Sequence, residues 1–334
     1  MSRPQRLLIT GAAGFVGSAV VRIAVSRGLH TTAAVSPASR LDRLAPLGAA
    51  CTVVRADVTD GESMAALVAS ARPDVCIHLA AAGAVTRSED LATLLQTNAV
   101  APGALARLLA AGGCRRLVTT GSSSEYGSVC GPMDESVVCE PDDAYGVSKL
   151  AGGLLARCVG RELGLETAHL RLFSVYGPGE DPRRLVPSVI RGLLAGQPVP
   201  LTSGRQVRDF VYVDDAADAL LAAALTPQIN GLTANIGSGV ETSVRDLCLK
   251  IADVTGGHHL LRFGAHPYRD GERFAWRAAT DRAQRELGWS ACTPLDEGLA
   301  RTIELQRRAS TTLSGPPADH GHGAPRLRAP RSDR

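Results

Sequence analysis

The sequence predicts an α/β protein: a doubly wound parallel sheet with a smaller C-terminal substrate lobe intertwined with it. Three observations predict it. Short β-branched runs alternate with helical stretches through the first half of the chain. Three glycines fall between the first strand and the first helix. After Tyr176 the alternation loosens into short elements broken by Pro178, Pro182, Pro187, Pro198 and Pro200.

Arg6–Ile9, Thr31–Val35, Cys51–Arg55, Val75–Ala80, Arg116–Thr120 and His169–Phe173 read as strands. The intervening helices are expected at Phe15–Ser26, about Ser39–Leu44, Met64–Ala71, Thr97–Ala111 and Tyr145–Leu163, the last two stopped by glycines. Phe210–Val213 reads as a further strand and Asp214–Ala224 as a helix. The expected division is a first domain over 1–175, with return elements at about 209–237, and a substrate lobe mainly over 176–305. The segment 310–334 is rich in Pro, Gly and Ser and has no apolar periodicity, so disorder is expected there.

Composition narrows the function. With 334 residues, 45% of them apolar, the chain can bury a sizeable core. No apolar run reaches the roughly 18 residues of a membrane span. The apolar run Leu7–Ile9 meets Gly11 too soon for a secretory leader, so a cytoplasmic protein with no membrane partner is expected. The net charge is +3, and the basic tail carries most of it, which disfavours a nucleic-acid footprint on the body. Eight scattered cysteines form no CxxC pair, so neither a disulfide framework nor a metal site is expected. Only two lysines occur, Lys149 and Lys250, against 34 arginines. A lysine kept in so arginine-biased a chain invites a role that arginine cannot fill.

Gly11, Gly14 and Gly17 stand three apart between strand and helix. In a Rossmann dinucleotide site the first glycine permits the tight turn, the second a close approach to phosphate, and the third close packing of helix on strand. The pyrophosphate then rests on the N–H groups that open the helix, here beginning at Phe15 and Val16. At the end of the second strand an acid would bond the ribose 2′-OH and repel a 2′-phosphate. The run Ala34–Arg40 holds no acid, and Ser36, Ser39 and Arg40 are suited to a phosphate. NADP(H) is therefore the expected cofactor, with NAD(H) the alternative.

Tyr145 and Lys149 lie at i and i+4, on one helix face. A phenol with its ordinary pKa near 10 is a poor base at neutral pH, and a nearby cation favours its ionised form. Lysine offers a compact ammonium that fits between ribose and phenol where a guanidinium would not. The strand end Val118–Gly127 is rich in hydroxyls and sits where parallel sheets place their sites. One of its serines can bond a substrate oxygen beside Tyr145.

These residues resemble the extended short-chain dehydrogenase/reductase family, the epimerases, dehydratases and ketoreductases of nucleotide sugars. The resemblance runs from about Leu7 to Glu304. It implies that Asp57 and Val58 sit at the adenine, that Leu79, Ala80 and Ala81 line the cofactor after His78, and that Asn98 supports it. It makes Ser122, Tyr145 and Lys149 the catalytic set. It places Ser123, Ser124, Ser174, Arg208, Arg269 and Glu272 around the substrate, the arginines gripping its diphosphate through their planar forks. A helix-paired homodimer is also implied.

Dehydratases of that family carry acids at the two positions after the catalytic Ser/Thr. Ser123 and Ser124 stand there, and Glu125 comes one position late. A 4,6-dehydratase is therefore not expected. Reduction of the 4-keto group of a nucleoside-diphosphate deoxyhexose is the leading expectation. An NAD-dependent 4-epimerase is the alternative, and a non-catalytic cofactor-binding regulator the minor one.

Overall fold

The computed structural model describes residues 5–84, 90–129, 131–268 and 271–313. The first six strands, β1 (Arg6–Thr10), β2 (His30–Val35), β3 (Thr52–Arg55), β4 (Val75–His78), β5 (Arg116–Ser122) and β6 (Glu166–Leu172), all belong to its larger sheet. The remaining strands are β7 (Ser174–Tyr176), β8 (Val199–Leu201), β9 (Val207–Tyr212), β10 (Leu232–Ile236), β11 (Glu241–Ser243) and β12 (Leu261–Phe263). The helices are α1 (Phe15–Ser26), α2 (Gly61–Ala71), α3 (Leu91–Leu95), α4 (Ala101–Ala111), α5 (Ala144–Leu163), α6 (Leu185–Leu194), α7 (Val213–Leu225), α8 (Val244–Thr255), α9 (Asp281–Leu287) and α10 (Leu295–Leu313).

The large sheet has the order β10-β6-β5-β4-β1-β2-β3, and every pairing in it is parallel. Such a sheet must be covered on both faces. Alternation along β1 does this: Leu7 and Ile9 join the core containing α1 and α7, and Leu8 joins the core of α2, α4 and α5. The strand order reverses between β1 and β4, and this opens the crevice at the carboxyl ends where such sheets bind ligands.

The chain's return is stitched in place by a buried guanidinium. Arg116 of β5 donates to the carbonyls of Ala223 and Ala224 at the end of α7, at 3.0 and 3.2 Å, and pairs with Glu166 of β6. Within the expected return segment, α7 and β10 join the large sheet and its helical layer, whereas β9 belongs to the second lobe. There β9 lies between β7 and β11 in a three-stranded sheet, and β8 pairs with β12.

Two expectations are corrected locally. No helix forms at Ser39–Leu44; a 3-10 turn at Ala45–Ala50 follows instead, with a proline in its first turn. α10 continues through Leu313, so the helix enters the segment expected to be disordered from 310; residues 314–334 lie outside the described ones.

Candidate active site

The glycine loop is a cradle that side chains would fill. Gly11 has φ +65°, and a Cβ there would lie 2.6 Å from the Ala80 nitrogen at the end of β4. A Cβ on Gly17 would lie 2.2 Å from the Gly11 carbonyl oxygen. Gly14 is exposed and begins α1, which has no side-chain cap. The first N–H groups of α1, at Phe15 and Val16, thus lack a side-chain acceptor, which fits a phosphate at that helix end.

Past β4, half-buried Leu79 and Ala80 and exposed Ala81 form the opposite lip. Thr10 Oγ1 bonds His78 Nδ1 at 2.8 Å. His78 is buried and, with Lys149 nearby, its pKa is held down at about 3. Asn98 is committed to structure: its amide bonds the Ala82 carbonyl at 3.0 Å and Ser148 Oγ at 3.0 Å, and its Oδ1 accepts the Ala82 N–H at 2.9 Å. It lies on one π-helical turn, Gln96–Val100, which presses its carbonyl against α5 where only Gly152 fits. Asp57 is exposed, with its carboxylate turned to the N–H and hydroxyl of Thr59; Val58 beside it is half-buried.

Ser122, Tyr145 and Lys149 are brought together. Ser122 ends β5, its hydroxyl accepts the Ser124 N–H at 3.1 Å, and it lies close enough to the Tyr145 phenol to favour its ionised form. Burial pushes the phenol up to about 12, while Arg184 is the leading charge that draws it back. Burial lowers the Lys149 ammonium to about 8, and Glu125 opposes that shift. Asp143 caps α5 by accepting the Gly146 N–H at 2.7 Å, which fixes the turn that carries Tyr145. Ser123 and Ser124 are buried in a 3-10 turn. Glu125 is fully buried, accepting from Ser122 N, His169 Nε2 and Arg171 Nε.

Beside this set opens a cleft of about 910 Å³, lined among others by Ser174, Glu180, Arg184, Arg208, Glu272 and Trp276. Arg208 pairs with Glu272 at 2.5 Å and stacks 4.9 Å from the Trp276 ring centre. Arg269 lies outside the described residues. Sequence reasoning missed Glu180, Arg184 and Arg43. Arg43 donates to the Ala13 carbonyl of the glycine loop at 3.1 Å and to the Gly179 carbonyl at 2.7 Å, tying the cofactor side of the crevice to the loop after β7. In a chain with 34 arginines, nothing local marks these two.

A dinucleotide cradle, a Ser-Tyr-Lys set and an arginine-lined cleft define an NAD(P)-dependent oxidoreductase/epimerase acting on nucleotide sugars. The chain belongs to the NAD dependent epimerase/dehydratase family, whose model matches residues 7–237. It is 34% identical over 317 residues to the UDP-glucose 4-epimerase of Mycolicibacterium smegmatis, covering 92% of this chain and 100% of that protein. It is similar to the solved structure of MoeE5 in complex with UDP-glucuronic acid and NAD, with a TM-score of 0.82 and 32% identity over 91% of this chain and 99% of that one. It is also similar to DesIV, a dTDP-glucose 4,6-dehydratase from Streptomyces venezuelae with NAD bound, with a TM-score of 0.85 and 28% identity over 92% and 98% of the two chains.

These relatives overturn the NADP(H) expectation, because MoeE5 and DesIV both hold NAD. The groups expected to grip a 2′-phosphate are engaged elsewhere. Ser36 and Ser39 bond each other at 2.8 Å, and Arg40 is turned to Asp42 at 2.8 Å. A missing acid at the end of β2 does not require a phosphate, since a serine hydroxyl can also bond a ribose hydroxyl.

Among the described residues, no group of His, Cys, Asp or Glu could hold a metal. No described helix is long and apolar enough to cross a membrane.

Proposed function

We propose that the protein is an NAD-dependent 4-epimerase of a nucleoside-diphosphate hexose. One observation carries the choice within the family: Ser122 ends β5 beside the turn of α5 that holds Tyr145 and Lys149, while Ser123 and Ser124 stand where dehydratases carry acids. The nearest carboxylate, Glu125, is locked to Arg171 and His169. Among the described residues of that turn no other acid can take the proton next to a sugar carbonyl, so elimination has no base there. The 34% identity to a UDP-glucose 4-epimerase over nearly the whole chain supports the same reading in place of ketoreduction.

NAD, when bound, would accept a hydride from C4 and return it to the opposite face of the 4-keto sugar once the sugar has turned over. Tyr145 takes the O4 proton and later restores it, and Ser122 holds O4 in reach. The Lys149 ammonium holds the ribose hydroxyls, and the Gly11–Gly17 loop the pyrophosphate. Half-buried Tyr145 is protonated in the free protein, so it becomes a base only when positive charge enters the site. Arg208 and Trp276 face the nucleoside-diphosphate end of the cleft.

The test is incubation of the purified protein with UDP-glucose, without added reductant, and assay for UDP-galactose. Interconversion in both directions is expected. No interconversion with NAD saturating, or net consumption of NADPH against a 4-keto sugar nucleotide, overturns the reading.

A further inference from the structure

Glu180 is a buried acid in a cleft that receives anions. Its side chain is only 7% exposed, and its one partner among the described residues is the Nε of Arg184 at 3.3 Å. Its other carboxyl oxygen, Oε2, has no hydrogen-bond partner among the described residues. Burial holds this carboxyl up at about 7. An unsatisfied buried carboxyl oxygen is unfavourable unless a ligand completes it. The residue lines the substrate cleft. Its partner Arg184 also reaches the Ala84 carbonyl at 3.2 Å and acts on the Tyr145 phenol. Glu180 is therefore paired with a cation whose charge reaches Tyr145.

Resting on the epimerase reading, we propose that Glu180 makes the site select a neutral hexose over a hexuronate. Oε2 accepts a hydrogen bond from a sugar hydroxyl. The same carboxyl occupies Arg184, the guanidinium that would otherwise match a carboxylate on the sugar. Above about pH 7, where Glu180 is ionised, two carboxylates competing for one guanidinium repel each other, so the uronate is rejected by charge as well as by the lost hydrogen bond. The alternative sugar class is a real competitor, because MoeE5 has been solved with both UDP-glucose and UDP-glucuronic acid.

The test measures binding, so it stands apart from turnover. Calorimetry on the NAD-loaded protein compares UDP-glucose with UDP-glucuronic acid. The wild-type protein is expected to favour UDP-glucose by about tenfold or more, a difference of roughly 1.4 kcal/mol. Glu180→Gln keeps an acceptor but loses the charge and releases Arg184, so the ratio should fall towards one. Glu180→Ala loses UDP-glucose affinity as well. A wild-type ratio of one or below, or an unchanged ratio in Glu180→Gln with normal NAD content, overturns the assignment. If UDP-glucose is not epimerised, the epimerase reading fails while the binding ratio still decides Glu180.

Discussion

The Glu125 carboxylate accepts the backbone N–H of Ser122 at 2.8 Å, and so the only acid in the serine turn serves the protein interior. Its other contacts, Arg171 Nε at 2.8 Å and His169 Nε2 at 3.1 Å, come from β6. The residue proposed to hold the substrate oxygen, Ser122, is thus positioned by an ion cluster behind it.

Glu125→Ala should cost about 3–5 kcal/mol, because Arg171 stays buried without its counter-ion. Denaturant unfolding checks this, and an unchanged midpoint would refute the cluster's importance. The wild-type carboxyl titrates at about 2, below its ordinary 4.5. Its contribution is complete above pH 4.5 and is lost as pH falls from there towards 2, since the unfolded chain takes up the proton first.

Tyr145→Phe should lower turnover by about 10²–10⁴-fold while leaving the NAD content of the purified protein unchanged. Retention of full activity would remove Tyr145 from the reaction. Unchanged behaviour of the variant in every role would leave only a cofactor-binding regulator.

Lys149→Met should abolish activity yet stabilise the cofactor-free protein. The ammonium titrates at about 8 in the fold against an ordinary 10.5. The unfolded chain gains its proton between those values first, so stability rises with pH through that window and the full penalty applies below pH 8. Removing it should gain about 1–3 kcal/mol at pH 7. A lower Tm for the cofactor-free variant at pH 7 would contradict this.

Glu180→Gln should show the opposite window. The carboxyl titrates at about 7 against an ordinary 4.5. The folded protein keeps its proton as the unfolded chain loses it, so the penalty grows from pH 4.5 to 7 and is full above 7. The variant should gain up to about 3 kcal/mol at pH 8 and almost nothing near pH 4.5. Thermal melts at the two pH values decide it, and equal shifts would mean that the carboxyl is not perturbed.

The layered sheet was legible because its signals are local. Gly11, Gly14 and Gly17 are read within one loop, and Tyr145 and Lys149 within two turns of one helix. The serines were harder. Ser122, Ser123 and Ser124 are chemically identical neighbours, and only the 3-10 turn decides that the last two are buried. Glu180, Arg184 and Arg43 are joined to the site by contacts across the fold, which no spacing announces. The reading of Ser36 and Arg40 failed for a different reason. It argued from a missing acid, and an absence leaves several hydrogen-bonding solutions open. The short helix at Ser39–Leu44 failed because six residues are too few for periodicity to outweigh the chain's later turn at Pro46.

The scarcity of lysine has a practical consequence. Lys250 is solvent-facing and paired with Asp296, whereas Lys149 is buried with its ammonium weakened to about 8. The protein's side-chain amines are thus one solvent-facing site and one buried site whose ammonium is weakened by burial. A small amine-directed acylating reagent at neutral pH becomes a footprinting probe of the dinucleotide pocket, with Lys250 as its internal standard. The ratio of label at the two positions reports pocket occupancy in a single mass spectrum, without a substrate or a turnover assay.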